Sequence, residues 1–214
     1  MSNEDLPDST QPYFTNNWFD ITAKPIWDRL IPRLNLTKIL EIGSYEGASS
    51  CYLITNCASK APIEIHCIDT WEGSDEDERL GVDMSIVERR FLANTKAACS
   101  KALHPVNLVA HKGQSNICLA KLLAVGPLGC FDLIYIDGSH HAPDVLSDAV
   151  LSFLLLKVGG TMIFDDYLWR NPAVSADSLD NPKPAIDSFM NIYFHEMRLE
   201  LSQTSQVVAH KISN

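Results

Sequence analysis

Two adjacent aspartates, Asp165 and Asp166, end the segment TMIFDD, where strand-like residues run into paired carboxylates. Neighbouring anions at the end of an apolar strand repel each other and resist desolvation, so a compensating partner is required there. A further carboxylate, Asp137, follows the apolar run FDLIYI and is succeeded by His140 and His141 in DGSHH. Histidine at such a place can take a proton near neutral pH. Earlier in the chain, EIGSYEG sets Glu41 ahead of Gly43 and Gly47. Glycines at such a turn let the chain bend sharply and let a ligand approach the next helix. The spacing is G-x-x-x-G, with Tyr45 where a dinucleotide fold needs its second glycine, so nicotinamide and flavin dinucleotides fit poorly. Glu41 suits a ligand that carries an ammonium group. Asp69, after IHCI, is placed to bind both hydroxyls of a ribose, and Trp71 to cover an adenine face. A loop-capping carboxylate and a packing tryptophan are the alternatives for these two. Gln114 and Ser115, in HKGQS, offer small polar groups to an adenine amine. An adenosine site with a cationic amino-acid tail describes S-adenosylmethionine.

These residues act together only if the elements between them converge. Short apolar stretches at 38–42, 63–68, 106–110, 131–136 and 161–164 read as strands. Helical patterns lie between them at 48–57, from a Ser85/Glu88 capping box to about 102, at 115–123 and at 143–156. An amphipathic stretch at 18–34 predicts helix interrupted by Pro25 and Pro32. Gly159-Gly160 predicts a tight turn into the fifth strand, 171–181 a loop, 184–195 a helix, and 197–201 with 206–211 a closing antiparallel pair. The acidic run SDEDE, 74–78, reads as a solvated loop. Alternation of this kind predicts an α/β fold: a Rossmann-like doubly wound sheet, mostly parallel with a C-terminal antiparallel strand, and helices on both faces. Residues 1–16 are expected as a flexible N-terminal tail and 17–214 as a single domain. Ligands of such sheets bind at the carboxyl ends of the strands, where these candidate residues stand.

Composition narrows the function. A net charge of −10 argues against a nucleic-acid surface, which needs clustered Lys and Arg. The six cysteines show no CxxC pairing and read as reduced and buried. The longest apolar stretch, 149–156, is too short to cross a bilayer, and MSNEDLPDST lacks the layout of a secretory signal. The expectation is a cytoplasmic protein with a small-molecule partner, neither nucleic acid nor membrane, with homo-oligomerisation left open.

The blocks KILEIGSYEGASS, HCIDTWEGS, FDLIYIDGSHHAPDVLSDA and GGTMIFDDY occur in that order between 17 and about 169. Together they resemble the class I S-adenosylmethionine-dependent methyltransferases. More narrowly, they resemble the small-molecule branch that includes the sugar O-methyltransferases of macrolide and aminocoumarin pathways. The resemblance implies that Glu41, Gly43, Ser44 and Gly47 hold the methionine portion and Asp69 the ribose. It places Trp71, Gln114 and Ser115 at the adenine and Asp137 under the sulfonium. It further implies Mg2+ held by Asp137, Asp165 and Asp166, a hard oxygen set poor for zinc. Asp137 and His140 are then the catalytic candidates, with His140 as general base toward a hydroxyl of a sugar or secondary metabolite. Two alternatives stay open at this centre: Asp165 bonded to backbone amides, leaving Asp166 alone in the pocket, and His140 capping the next helix or hydrogen-bonding the loop. Trp169 and Arg170, with parts of the N-terminal segment, are candidates to line the acceptor pocket, Trp169 equally as a packing anchor. The rival functions are an NAD(P)-dependent oxidoreductase on a similar sheet and an S-adenosylmethionine-binding protein without turnover.

Overall fold

The computed structural model describes residues 11–170, 179–200 and 205–214. Five parallel strands, β1 (Lys38–Ile42), β2 (Ile63–Asp69), β3 (Val106–Lys112), β4 (Phe131–Ile136) and β5 (Leu156–Phe164), form most of the sheet. Two antiparallel strands, β6 (Met197–Glu200) and β7 (Val207–Lys211), complete it in the order β3-β2-β1-β4-β5-β7-β6. Strand order reverses between β1 and β4, the place where open α/β sheets bind ligands.

Side chains alternate across each strand, and the register shows which share a face. Glu41 pairs with Cys67 on β2 and with Tyr135 on β4. Their face packs under α1 (Trp18–Ile21), α2 (Lys24–Leu30), α3 (Ala48–Cys57) and α5 (Met84–Lys101), around Trp27, Leu53 and Phe91. The opposite face, with Leu40, Ile134 and Phe164, packs on α6 (Ser115–Val125), α7 (Ala142–Leu155) and α8 (Lys183–Ile192). Among the described residues no helix is long and apolar enough to cross a membrane.

The doubly wound sheet matches the expectation, and several local details differ. The acidic run is not a loop but opens α4 (Asp75–Leu80), where Ser74 and Asp77 form a reciprocal capping box. Helix α5 is capped by Asp83, whose carboxylate accepts from Ser85 N–H, instead of by a Ser85/Glu88 box. Gly159 (φ +87°) lies inside β5, where the register with β4 shifts, so the Gly-Gly pair makes an irregularity within the strand and not a turn before it. Part of the predicted 171–181 loop, and Leu201 of the predicted strand, lie outside the described residues. Within the 1–16 segment, Tyr13 and Thr15 are hydrogen-bonded to Asn94 and Glu46.

Candidate active site

The turn after β1 is built by a close approach of two backbones. Gly43 sits at φ +85°, and a Cβ there would lie 1.9 Å from the carbonyl oxygen of Asp137. Glycine at this position thus lets the β1 and β4 ends meet, which brings Glu41 and Asp137 into one site. Gly47 (φ +84°) is the N-cap of α3. Asp69 ties the turn from the next strand: its Oδ2 accepts the amides of Ser44 and Tyr45, both at 2.8 Å, and its Oδ1 accepts Trp71 N–H at 2.7 Å. The loop-capping alternative therefore describes what Asp69 does in this structure. An ionised carboxylate has about four acceptor positions, so Oδ1 keeps one for a further donor. Trp71 is 5% exposed, packs on Phe91 and donates its indole N–H to Tyr45 O at 3.0 Å. It anchors the turn and presents little face to an adenine, which corrects the stacking expectation.

Glu41 is fully buried at the floor of this turn. Its Oε2 accepts the hydroxyls of Ser44, at 2.8 Å, and Ser50, while Oε1 has no hydrogen-bond partner among the described residues. Burial, against these hydroxyl bonds, pushes its carboxyl up. A buried carboxylate oxygen without a donor is the complement of a cationic group, so the residues present fit an ammonium-bearing ligand. At the far end of the site, exposed Gln114 is the N-cap of α6 and half-buried Ser115 its first residue, both just beyond β3.

At the ends of β4 and β5 the carboxylates are unequal. Asp165 is 7% exposed, with Oδ1 accepting Asp166 N–H at 2.8 Å and Oδ2 accepting Gln206 Nε2–H at 2.8 Å. The Tyr135 hydroxyl also meets Asp165 Oδ2, and reaches Asp137 Oδ2 at 2.8 Å. One hydroxyl proton serves only one acceptor, so the second contact needs a proton on a carboxyl group. Burial and the neighbouring Asp165 and Asp166 push the Asp137 carboxyl well up, and burial with Asp166 raises Asp165. Raised in this way, the carboxyl groups favour their protonated forms, which eases the repulsion among them. Asp165 Oδ2 is taken by both Tyr135 and Gln206, and no cluster of three or more His, Cys, Asp or Glu among the described residues could hold a metal ion. The trio Asp137, Asp165 and Asp166 therefore does not fit the magnesium site expected of it.

Asp166 points elsewhere. It adopts φ +56°, uncommon outside glycine but accessible to aspartate, and its Oδ2 lies 2.9 Å from His140 Nε2. His140 lies against Trp169, with ring centroids 3.8 Å apart, and its side chain keeps 34% exposure. The helix-capping alternative for His140 does not hold, because α7 is N-capped by His141 without a side-chain bond. Arg170 is exposed, and His141 pairs loosely with Asp144 at 3.8 Å.

Three residues of the site were not singled out from the sequence. Tyr135 stands two positions before Asp137, and strand alternation could have put both on one face. Gln206, which also accepts Trp27 Nε1–H at 3.2 Å, comes from the entry of β7 and carries no local signal. Asp148, on the apolar stripe of α7 and 1% exposed, lies in hydrogen-bonding reach of Ser115. Burial, opposed by Ser115 and aided by Asp144, pushes its carboxyl up to about 7. Its Oδ1, and Ser152 Oγ one turn later, have no hydrogen-bond partner among the described residues.

Comparison with known proteins places this geometry. Residues 40–167 match the family model described as a methyltransferase domain. The chain is 27% identical over 191 residues to a probable caffeoyl-CoA O-methyltransferase 3 of Dictyostelium discoideum, covering 87% of this chain and 66% of that protein. It thus spans just under two-thirds of that relative's length. Among solved structures it is similar to an O-methyltransferase of Bacillus cereus in complex with SAH, with TM-score 0.58 and 16% identity over 92% of this chain and 84% of that one. It is also similar to the mycinamycin-pathway methyltransferase MycE in complex with Mg and SAH, with TM-score 0.55 and 16% identity over 94% of this chain and 51% of that one. At such identities the likeness is one of fold.

Proposed function

The chain belongs to the methyltransferase-domain family, and we propose that it moves a methyl group from S-adenosylmethionine to a hydroxyl of a small molecule, with His140 as the base. The observations that carry the reading are His140 held by Asp166 beyond the end of β4, and the Oε1 of buried Glu41, which has no hydrogen-bond partner among the described residues. On the cofactor side, Glu41 would meet the ammonium of the methionine portion. Asp69 Oδ1 would accept a ribose hydroxyl, and Gln114 with Ser115 would meet the adenine edge. When bound, S-adenosylmethionine supplies an electrophilic methyl group whose leaving thioether is neutral.

A hydroxyl acceptor must lose its proton as the new bond forms, and a positioned base lowers that barrier. The Asp166 carboxylate accepts a hydrogen bond from His140 Nε2–H, which leaves Nδ1 with the lone pair to take the acceptor's proton. Trp169 packs against one face of the imidazole, and with Asp166 it fixes the ring's orientation. Magnesium has no step in this proposal, because Asp137, Asp165 and Asp166 do not converge as a metal-binding cluster. MycE supports a metal-assisted variant only by its fold. A sugar or secondary-metabolite hydroxyl is the acceptor class the reading favours.

Calorimetry with S-adenosylhomocysteine and turnover with a panel of hydroxylated acceptors test the proposal. The wild-type protein is expected to bind the product cofactor at micromolar levels. His140→Ala is expected to bind it equally and to lose about 10²–10⁴-fold in kcat. No cofactor binding at millimolar levels overturns the function, whereas binding with unimpaired turnover in His140→Ala overturns the assignment of the base. Binding without turnover on any acceptor supports the rival, a protein that only binds the cofactor.

A further inference from the structure

Residues 13–18 run across the outside of the glycine turn and are fastened to it by directed polar bonds. Thr15 donates its amide to Glu46 Oε2 at 2.7 Å and its hydroxyl to Glu46 Oε1 at 2.8 Å. Tyr13 N–H donates to Asn94 Oδ1 at 2.8 Å, and Asn94 Nδ2 donates at 2.9 Å to the carbonyls of both Tyr13 and Glu46. The Arg90 guanidinium donates to Glu46 Oε1 at 2.9 Å and sits 6.0 Å from the centre of the Tyr13 ring. Trp18 lies 5.5 Å from the ring of Tyr45, the neighbour of Glu46 in the turn.

The burial of these groups is uneven. Glu46 and Asn94 are 2% and 4% exposed, whereas Tyr13 and Trp18 are each more than half exposed. Just beyond, the same segment and α1 face α3 across a cavity of about 400 Å³ lined by Phe14, Asn16 and Phe19 on one side and Cys51, Tyr52 and Thr55 on the other. The segment is thus latched at its polar contacts and flanked by an open groove. Glu46 lies between Tyr45 and Gly47, in the turn that holds the methionine portion under the proposed function, yet among the described residues its carboxylate bonds to the strap and to α5. Whatever moves the turn must therefore move the strap, and the reverse.

Resting on that function, we propose that residues 13–18 are a strap whose closure and cofactor binding favour each other, with Glu46 as the positioning residue and Thr15, Asn94 and Arg90 as its latch. Coupling of this kind is reciprocal: the closed strap slows cofactor release, and the bound cofactor holds the strap shut. The substitution Thr15→Val removes one bond to a charged acceptor from an exposed position and leaves the core untouched. Losing such a bond is expected to speed release of S-adenosylhomocysteine by roughly tenfold, with an unchanged unfolding midpoint. Arg90→Met tests the same latch from α5.

Stopped-flow displacement gives the release rate, and hydrogen exchange at the amides of Tyr13 and Thr15 reports the strap. Slower exchange on adding the product cofactor, with faster release from both variants, supports the proposal. If the wild type binds the product cofactor but exchange at these amides is unaltered and both variants release it at the wild-type rate, the strap is refuted and the methyl-transfer reading stands. A wild type that does not bind it at all overturns that reading and the strap with it.

Discussion

Replacing Asp148 by Asn tests how burial, and not sequence position, sets the charge state of a carboxyl group in this fold. The side chain is 1% exposed, and its proton is held to about 7, against an ordinary 3.8. Between those two pH values the folded chain keeps a proton that the unfolded chain has lost. Stability therefore falls as pH rises, by about 1.4 kcal/mol per unit. Below pH 4 both states are protonated and the effect vanishes. Above pH 7 it is complete, on the order of 4 kcal/mol. Asparagine has the same shape and does not titrate, so Asp148→Asn should gain about 2 kcal/mol on the wild type between pH 5 and pH 7. The lost or altered bond to Ser115 shifts the variant at every pH alike and leaves the slope untouched. Urea unfolding followed by tryptophan fluorescence at pH 5, 6 and 7 measures the difference. Parallel free-energy curves for the two proteins would refute the reasoning.

Three further outcomes follow from the same geometry. Gly43→Ala should cost about 4 kcal/mol or more and abolish binding of the product cofactor, since the added Cβ collides with Asp137 O at a left-handed φ; denaturant midpoints and calorimetry check this. Lys211 donates to the carbonyls of Phe153 and Leu156, each at 2.9 Å, and so caps the end of α7 from β7. Burial lowers its pKa, yet Lys211→Met should still cost about 2 kcal/mol, read as a lower unfolding midpoint, because both carbonyls lose their donor. Removing divalent metals with EDTA should leave turnover within about twofold; a loss of a hundredfold, restored by Mg2+, would show that Asp165 opens during the reaction.

Much of the sheet was legible because its strands are apolar runs bounded by turn residues. The predicted limits of β1, α3 and β4 coincide with the observed ones, Lys38–Ile42, Ala48–Cys57 and Phe131–Ile136. Helix α4 was missed because it is six residues long and has no apolar periodicity; its only signal is Ser74 three residues before Asp77. The glycines at 159 and 160 read as a turn because a strand irregularity and a turn demand the same backbone freedom. In the site, residue types announced Glu41, Asp69, Asp137, His140 and the paired aspartates, but not their partners. Asp165 and Asp166 are alike in sequence and opposite in role. One faces inward to Tyr135 and Gln206, the other outward to His140. That division depends on a tyrosine 30 residues earlier and a glutamine 41 residues later, which no local pattern brings together.

The place of β7 in the sheet bears on how the chain is made. Synthesis delivers β6 before β7, yet β7 lies inside, between β5 and β6. While residues 206–211 are still to come, the free side of β5 exposes unpaired backbone groups, open to pairing with another chain. In the same interval Asp165 lacks the amide of Gln206, and the end of α7 lacks Lys211. The cofactor-side strands β1, β2 and β3 are complete long before this, but the base-side centre closes only once β7 has emerged. A partly made chain therefore owns the elements of a cofactor site before it owns a settled place for the acceptor.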